Sequence, residues 1–571
     1  MDKKTLPIII LLLVAILFYW QILEFFGIVQ APAQPEPGTT VDTVYTAAPP
    51  TETLPADSQR ISEPPPATEP AVEPAAVMLS DTLPVDTIVV RTGKYAVTLV
   101  SLGGGPVSMI LNEYTYRDGR PIEMLPDAVA ATPEAKFADD RFSTSPLRYQ
   151  ADRVPGTYDV TSSYLELNYT YRSPDGGEII RTFVFYPDTY HFDFRLRVNG
   201  IGTFGFERFY TLDWNTPLGV TEPDPGTDYD AMQAVAMQAG SRVTLDDFDN
   251  GTLNQVEEGD ATWAGVRSKY FTAVMIPQEK QAEAVRAQGR KTEISTPAGT
   301  VERRDITAGL RMHLEHGRDV DDRFRVVVGP LDYLLLAEYD VALQDMLDIG
   351  TTPVVGILIK PFAYFIIWLL PILYAGIPNY GLVIILFAFL IKVVTLPLSL
   401  KSFKSMNAMK ELQPRIEKLK EKHKKNPQAL NQEMMKLYKK HGVNPLSGCL
   451  PILPQMPLLI ALFRVFSSTI LLRDAPFVWF IDDLSKGATG LTDPYMILVV
   501  LMVVMQFISQ KLTMGASQQN KALLYIMPLF MGFIFYSYSA GLVLYWTCFS
   551  AFSMLDYLVF RRGKNKQVKT A

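Results

Sequence analysis

The sequence predicts a polytopic α-helical membrane protein, with six spans and one interfacial helix, that carries a large extracytoplasmic all-β sandwich domain. Long apolar runs fill the chain after residue 353, and apolar and polar residues alternate through much of 86–330. Charge also divides the 571-residue chain. Residues 30–352 carry 27 Lys and Arg against 49 Asp and Glu, and the rest carries 26 against 11. An acidic part and a basic part indicate two compartments or two kinds of partner.

The first span is expected at residues 1–29, where Lys3 and Lys4 precede a long apolar run. Because the apolar core of a signal peptide is only about 7–15 residues long, we expect an uncleaved signal anchor. Residues 30–85 contain twelve prolines and many Thr, Ala and Glu. Such a segment cannot bury enough surface to offset its ordering entropy, so it is predicted to be a disordered linker.

Residues 86–350 are predicted to form the β-sandwich with a C-terminal helix. Apolar side chains alternate with polar ones at 165–171, 192–198 and 324–328, which places one set on a core face. Turn signals separate such runs at Asp118-Gly119, Asp175-Gly176-Gly177, Asn199-Gly200 and Asn250-Gly251. A helix over 331–349 should lead the chain back to the membrane.

Charge decides how the later apolar runs cross the membrane. These runs lie at 353–375, 379–400, 446–472, 494–511, 522–539 and 541–560, and a span needs about 20 apolar residues. The loop 401–445 carries 12 Lys and Arg against 4 Asp and Glu, so it should be cytoplasmic. With a cytoplasmic N-terminus and residues 30–352 outside, the loop would also lie outside if the first two runs both crossed.

We therefore expect residues 351–376, with Lys360, Pro361 and Trp368, to form an interfacial amphipathic helix. Residues 377–562 then form a core of five spans, and the basic tail 563–571 is cytoplasmic. The predicted location is the inner membrane, with both termini in the cytoplasm.

Lys392 is the clearest candidate for a functional residue, because it lies well inside a span. A Lys at the centre of a span costs about 2.5–3.5 kcal/mol on insertion scales, and such residues usually face a bundle interior or a water-filled cavity. The alternative is a side chain that extends towards the cytoplasmic interface. Asp556 lies near the end of the last span and Glu24 near the outer end of the first, so we expect no acidic residue to neutralise Lys392.

Two further features stand out in the membrane half. Pro451, Pro454 and Pro457 surround Gln455 and predict a kinked helix, whose polar group serves either a cavity or a structural hydrogen bond. The loop 401–445 is predicted to be a helical hairpin broken at Asn426-Pro427. Its basic faces either bind lipid headgroups, RNA or acidic proteins, or are solvated and set topology. Their candidate residues are Lys410, Arg415, Lys418, Lys422 and Lys436.

Catalytic motifs are missing: there is no Walker phosphate loop, HExxH or GxSxG. His313 and His316, and the segment 247–251, are weak metal signals, so no enzyme activity, cofactor, metal site or small-molecule substrate is expected. One alternative function is a membrane-anchored protein whose β-domain binds an envelope glycan or peptide. Another is a small-molecule transporter, which would need an inverted repeat of broken helices that the sequence lacks.

The membrane half closely resembles the YidC-type membrane protein insertases. The matching stretches are Lys392–Leu398 (KVVTLPL), Val443–Cys449, Pro454–Pro457, Arg473–Phe477 and Gly541–Trp546. The β-domain more loosely resembles the periplasmic domain of Gram-negative members, best at Trp263–Pro277. This resemblance implies an insertase and chaperone that binds nascent membrane proteins in a hydrophilic groove and releases their apolar helices into lipid.

The resemblance also implies the residues and partners of the groove. Lys392 would be the groove cation, with Gln455, Tyr545 and Trp546 as further lining residues. The family commonly has arginine at the position of Lys392, so the charge is kept here but the bidentate fork is lost. Implied partners are the Sec translocon, the ribosome through the basic loop and tail, and membrane lipids.

Overall fold

The structure is a computed structural model that describes residues 85–206, 208–296, 299–349, 353–424, 426–442, 452–514 and 521–570. The predicted first span and almost all of the linker lie outside these residues.

The β-domain contains nineteen strands within the described residues. The strands are β1 Thr87–Arg91, β2 Tyr95–Val100, β3 Gly105–Thr115, β4 Pro121–Glu123, β5 Glu134–Phe137, β6 Phe142–Ser143, β7 Gln150–Ala151, β8 Gly156–Asp159, β9 Leu165–Arg172, β10 Glu178–Phe185, β11 His191–Asn199, β12 Phe209–Trp214, β13 Gln233–Gln238, β14 Ser241–Leu245, β15 Thr252–Arg267, β16 Phe271–Pro277, β17 Ala282–Thr296, β18 Gly299–His313 and β19 Val320–Pro330.

The helices of the described ranges fall into a short set within the β-domain and a long set after it. They are α1 Ile201–Phe204, α2 Pro225–Ala231, α3 Tyr333–Ala337, α4 Pro353–Gly376, α5 Tyr380–Lys422, α6 Pro427–Lys440, α7 Ile452–Ser468, α8 Met496–Met514, α9 Lys521–Phe535 and α10 Ala540–Thr570. Short 3₁₀ helices lie at Leu343–Met346 and Ile470–Leu472.

The strands form two sheets, which confirms the prediction of a large β-sheet domain. The smaller has the order β4-β3-β2-β1-β8, and the larger runs β6-β5-β12-β18-β17-β15-β16-β19-β11-β10-β9-β7, with β13 paired to β14 and β15. Both sheets contribute to one buried core, for example Val97 and Leu111 from the smaller and Phe183 and Phe194 from the larger. Along β11 the alternation is complete, because Phe192, Phe194, Leu196 and Val198 are all buried.

The larger sheet is also covered on part of its second face. In β19, Val326, Val327 and Val328 are all buried, so both faces of this strand are covered. Val327 and Trp263 belong to a second apolar cluster that continues into the long helices. The indole Nε1 of Trp263 donates a hydrogen bond to the carbonyl of Val341 at 2.9 Å, which holds the segment 331–349 against the sheet.

The prediction of one helix over 331–349 was wrong. The segment instead forms α3 and a 3₁₀ helix, and Asp340 and Ala342 between them adopt φ of +55° and +54°. A right-handed helix cannot pass through left-handed backbone. Leu336, Leu343 and Met346 are nevertheless all buried, so the apolar spacing that suggested one helix serves packing against the sheet instead.

The long helices follow the apolar runs of the sequence. By length and composition, Gly356–Gly376 and Tyr380–Met409 are each suited to cross a membrane, and α7, α8 and α9 contain shorter apolar stretches. α5 continues for 43 residues through Pro397 and Pro414. It ends before Asn426, whose side chain caps α6 by accepting a hydrogen bond from the N–H of Ala429.

Three connections between helices meet at one end of this bundle, namely the α4–α5 connection, the loop 473–493 and the α9–α10 connection. The side-chain amide of Asn379, just before α5, donates to the carbonyl of Pro476 in the loop 473–493 at 3.4 Å. The N–H of Gly541, at the start of α10, donates to the carbonyl of Leu484 in the same loop at 2.8 Å. α5 and α10 therefore start at the same end and run in the same direction. This end also contacts the β-domain.

Candidate functional site

Lys392 lies in the middle of α5 and points into the bundle. The residue is 6% exposed. Its Nζ donates a hydrogen bond to the Ser553 hydroxyl at 2.9 Å and lies 3.2 Å from Oδ2 of Asp556. It also lies 4.8 Å from the centre of the Phe549 ring. The side chain thus packs against α10 inside the bundle instead of extending to solvent at a helix end.

The prediction that no acidic residue neutralises Lys392 was wrong, because Asp556 does so. Phe549, Ser553 and Asp556 are spaced four and three residues apart, which places them on one face of α10. That face packs on α5, and the long Lys392 side chain reaches along it to Asp556. Sequence distance from the end of a span is therefore a poor guide to pairing. The helical spacing of Ser553 and Asp556 was the signal that could have found the pair.

Tyr545 and Trp546 extend the same region towards the other end of α10, but they face different neighbours. Tyr545 is 1% exposed and its ring lies 5.9 Å from Phe387 of α5 and 5.8 Å from Phe549. The indole N–H of Trp546 donates to the side-chain oxygen of Gln506 of α8 at 3.0 Å. Gln506 is 8% exposed. It was not among the predicted site residues, although an amide within the apolar run 494–511 is visible in the sequence.

The proline segment lies on α7. Gln455 is partly buried near the start of this helix, and the structure has no hydrogen bond between it and Lys392. Pro454 is in the first turn, where an N–H has no helical partner anyway, whereas Pro457 lies inside the helix and removes a hydrogen bond. Pro451 lies outside the described residues. A kink by three prolines stays a prediction.

The basic residues of the hairpin are exposed. Arg415, Lys418, Lys422 and Lys436 all lie on solvent-facing positions. The guanidinium of Arg415 lies 2.7 Å from His441 Nε2, and Lys436 pairs with Glu433 at 3.0 Å. The Lys410 backbone is part of α5 and its side chain lies outside the description. The base of the hairpin is joined to the bundle by the buried Phe403, whose ring lies 5.7 Å from that of Tyr557.

A second group of charges, which sequence reasoning missed, joins the β-domain to the loop 473–493. The guanidinium of Arg473 donates to Glu222 at 2.7 Å, to Asp474 at 2.8 Å and to the carbonyl of Thr115 at 2.9 Å. In a second ion pair the cation is on the β-domain and the carboxylate is on the loop, because Arg117 pairs with the fully buried Asp483. Burial raises the pKa of Asp474, although Arg473 and Arg117 oppose the shift.

Within the described part of the chain, no group of three or more His, Cys, Asp or Glu side chains is arranged to hold a metal ion. His313 instead pairs with Glu283 at 2.8 Å on the surface.

Comparison with known families defines the class of protein. Residues 372–567 match the family described as "60Kd inner membrane protein", and residues 87–365 match the "YidC periplasmic domain". The chain is thus an inner membrane protein with a periplasmic β-sheet domain and a helical membrane domain. The predicted inner-membrane location and periplasmic domain are confirmed.

Its relatives identify the family. The chain is 35% identical over 488 residues to "Membrane protein insertase YidC" of Chlorobaculum tepidum, covering 82% of this chain and 80% of the relative. It is 34% identical over 504 residues to the same protein of Chlorobaculum parvum, covering 85% and 84%. The chain belongs to the YidC family of membrane protein insertases, as its sequence resemblance predicted. The family is not one of enzymes.

Among solved structures, the chain is similar to one described as "Active YidC insertase crystal structure with the first transmembrane domain resolved". The sequences are 18% identical, the TM-score is 0.34, and the match covers 83% of this chain and 93% of that one. The family assignment follows from the sequence relationship to the curated relatives.

Proposed function

We propose that the bundle binds the polar or acidic part of a nascent membrane protein in a groove at Lys392 and releases the adjoining apolar helix into lipid. The observation that carries this is a buried ammonium group in mid-span, beside Ser553 and Asp556. Polar groups cost free energy inside a membrane and are kept there for function. Tyr545, Trp546 and Gln455 are proposed to line the same groove.

Release into lipid needs no nucleotide, because the burial of apolar surface away from water supplies the driving force. α9 offers a suitable outer surface. Ile526, Leu529 and Phe533 are 63%, 66% and 68% exposed and follow one another at helical spacing, so they form a continuous apolar stripe. An incoming apolar helix can therefore leave water and pack against this stripe and the surrounding lipid in a single step.

The proposed topology has a cytoplasmic N-terminus, six spans and a cytoplasmic tail, with α4 lying flat at the periplasmic surface. One contact of α4 and one contact of the connection that follows it support the flat placement. The Tyr364 ring in mid-helix lies 5.3 Å from Tyr333 of the β-domain segment, and Asn379, just beyond the helix, contacts the loop 473–493. Both positions are at the end of the bundle that faces the β-domain. Phe365 and Trp368 are 42% and 57% exposed on one side of α4, which suits the lipid interface.

The exposed charges of the hairpin indicate which partners the protein would bind. The basic hairpin is proposed to contact the ribosome and anionic lipid headgroups, together with the basic tail, since Arg415, Lys418 and Lys422 are solvent-exposed on one helix. Larger substrates would require cooperation with the Sec translocon. The protein would also assist the folding of membrane proteins while they occupy the groove.

The experiment that tests this function is protease protection of a small single-span substrate added to proteoliposomes that contain only this protein. We expect protection above that of empty liposomes, loss of protection with Lys392→Glu, and near-complete retention with Lys392→Arg, which keeps the charge. The matched control is Arg318→Glu, a charge reversal at an exposed position of the β-domain that lies outside the proposed groove and hairpin surfaces.

Equal protection with wild type and empty liposomes would contradict autonomous insertion. Loss of insertion on deletion of residues 86–330, with the bundle still assembled, would favour the alternative in which the β-domain binds an envelope ligand. The insertase proposal expects most insertion to survive that deletion.

A further inference from the structure

The ionic partner of Lys392 has an unusual arrangement. Every described polar or aromatic contact of the ammonium group comes from one face of α10, namely Phe549, Ser553 and Asp556. Asp556 is the acidic residue within ion-pair distance among the residues that the structure describes. Lys392 and Asp556 are together neutral, so the groove does not present an uncompensated positive charge to an approaching acidic segment.

The pair is held by charge more than by directed hydrogen bonds. Although Asp556 Oδ2 lies 3.2 Å from Nζ, it is buried and has no hydrogen bond within the described structure. A lysine ammonium group has three N–H donors, and the aligned bond described here goes to Ser553. Lys392 therefore keeps the capacity to bind a second carboxylate. The Asp556 side chain is 18% exposed, and no other residue that the structure describes forms a hydrogen bond or ion pair with it.

We propose that Asp556 is a specificity-determining residue that competes with the carboxylate of an incoming segment for Lys392. The inference rests on the proposed groove function. A segment with an acidic residue replaces one carboxylate–ammonium pair by another, so the buried cation always has an anion beside it. A buried cation without an anion is costly inside a protein. A segment with only neutral polar groups leaves the pair intact and gains no ionic contact.

The competing explanation is that the pair only pins α5 to α10. In that case, removal of the Asp556 charge would weaken the bundle and lower the insertion of acidic and neutral substrates alike. Competition instead predicts that removal of the charge changes the preference between the two substrates, and that it changes in favour of the acidic one.

The test uses the full chain in proteoliposomes and two forms of one single-span substrate, whose translocated tail carries Asp or Asn at the same positions. A photo-crosslinker in the tail reports contact with α5 and α10, and protease protection reports insertion. The variants are Asp556→Asn, Asp556→Glu, Lys392→Gln and Lys392→Gln with Asp556→Asn. The matched control is Asp175→Asn at an exposed β-hairpin turn.

We expect Asp556→Asn to raise the crosslinking ratio of the Asp tail to the Asn tail by roughly 2- to 100-fold, the range that couplings between contacting residues produce. Asp556→Glu and Asp175→Asn should keep the wild-type ratio. Lys392→Gln should bring the ratio to about one, and the double variant should match it. Ser553→Asp, which adds a second internal carboxylate, should lower the ratio, and it tests the competition even where Asp556→Asn does not assemble.

An unchanged ratio with an assembled Asp556→Asn, or an equal loss for both tails, would overturn the competition. So would an unchanged ratio with Ser553→Asp. If these results came with Lys392-dependent insertion by the wild type, the inference would fail and the proposed function would stand. If the wild type neither inserted above empty liposomes nor crosslinked in a Lys392-dependent way, the proposed function itself would fail, and the inference with it.

Discussion

Arg473 at the outer end of the bundle and Lys392 inside it are both buried cations, yet they are held in different ways. Their side chains are 3% and 7% exposed, and each has a carboxylate and an aromatic ring nearby. The Arg473 partners include two separate β-domain segments, with Thr115 at the end of β3 and Glu222 in a loop, in addition to the adjacent Asp474. The Lys392 partners all come from one face of α10.

The difference separates a fixed contact from an exchangeable one. A planar guanidinium with bonds to two β-domain segments keeps its place unless both segments move together. A flexible ammonium group beside a single helix can change partner when that helix shifts or when another carboxylate arrives. The outer end of the bundle is therefore a clamp between the β-domain and the loop 473–493, and the interior is suited to a transient ligand.

The largest effect is expected from breaking the clamp. Arg473→Ala would leave Glu222, whose side chain is 7% exposed, buried without its cation. Removing one partner of a buried pair typically costs about 3–5 kcal/mol. We expect a large drop in the midpoint of thermal unfolding in detergent, together with new protease sensitivity in the loop 473–493.

The matched control for the clamp is Lys486→Ala in the same loop. Lys486 pairs with Asp482 at 3.1 Å, and the two side chains are 32% and 67% exposed. Exposed pairs contribute about 0–1 kcal/mol, so this variant should unfold near the wild-type temperature. Equal effects of Arg473→Ala and Lys486→Ala would show that Arg473 is not a clamp.

An intermediate effect is expected where the loop meets the turn before α10. A Cβ on Gly487 would clash with the backbone of Ser537 and Tyr538, whereas a Cβ on Gly490 would have nothing within 4 Å. Gly487→Ala should therefore destabilise the protein by about 1–3 kcal/mol, the usual cost of overpacking. Gly490→Ala should be nearly neutral. Measurement of both unfolding midpoints checks the contrast, and a neutral Gly487→Ala would contradict the close approach.

How far the sequence predicted these features depends on whether they are local or formed between distant segments. Strand alternation, as in β11, and apolar runs, as in α8, follow from periodicity within one segment, and both were predictable. Lys392 was predictable because a single charge in an apolar run is visible on its own. Its pairing with Asp556, 164 positions later, and that of Arg473 with Glu222 depend on which helix faces and loops meet. Periodicity in one segment does not specify that. The prediction of one helix over 331–349 was wrong for the same reason. Packing of this segment against the sheet overrode the helical spacing of its apolar residues.

The smallest effect is expected for the neutral polar contact inside the membrane half. Trp546→Phe keeps an aromatic ring but removes the N–H that donates to Gln506 at 3.0 Å. Hydrogen bonds between membrane helices average about 0.6 kcal/mol, because the unfolded chain in the membrane also finds partners. A double-mutant cycle with Gln506→Leu, followed by unfolding in mixed detergent micelles, should give a coupling near that value. A coupling of several kcal/mol, as large as the loss expected for Arg473→Ala, would mean that the interior is clamped like the outer end. The contrast between fixed contacts at the outer end of the bundle and exchangeable contacts in its interior would then not hold.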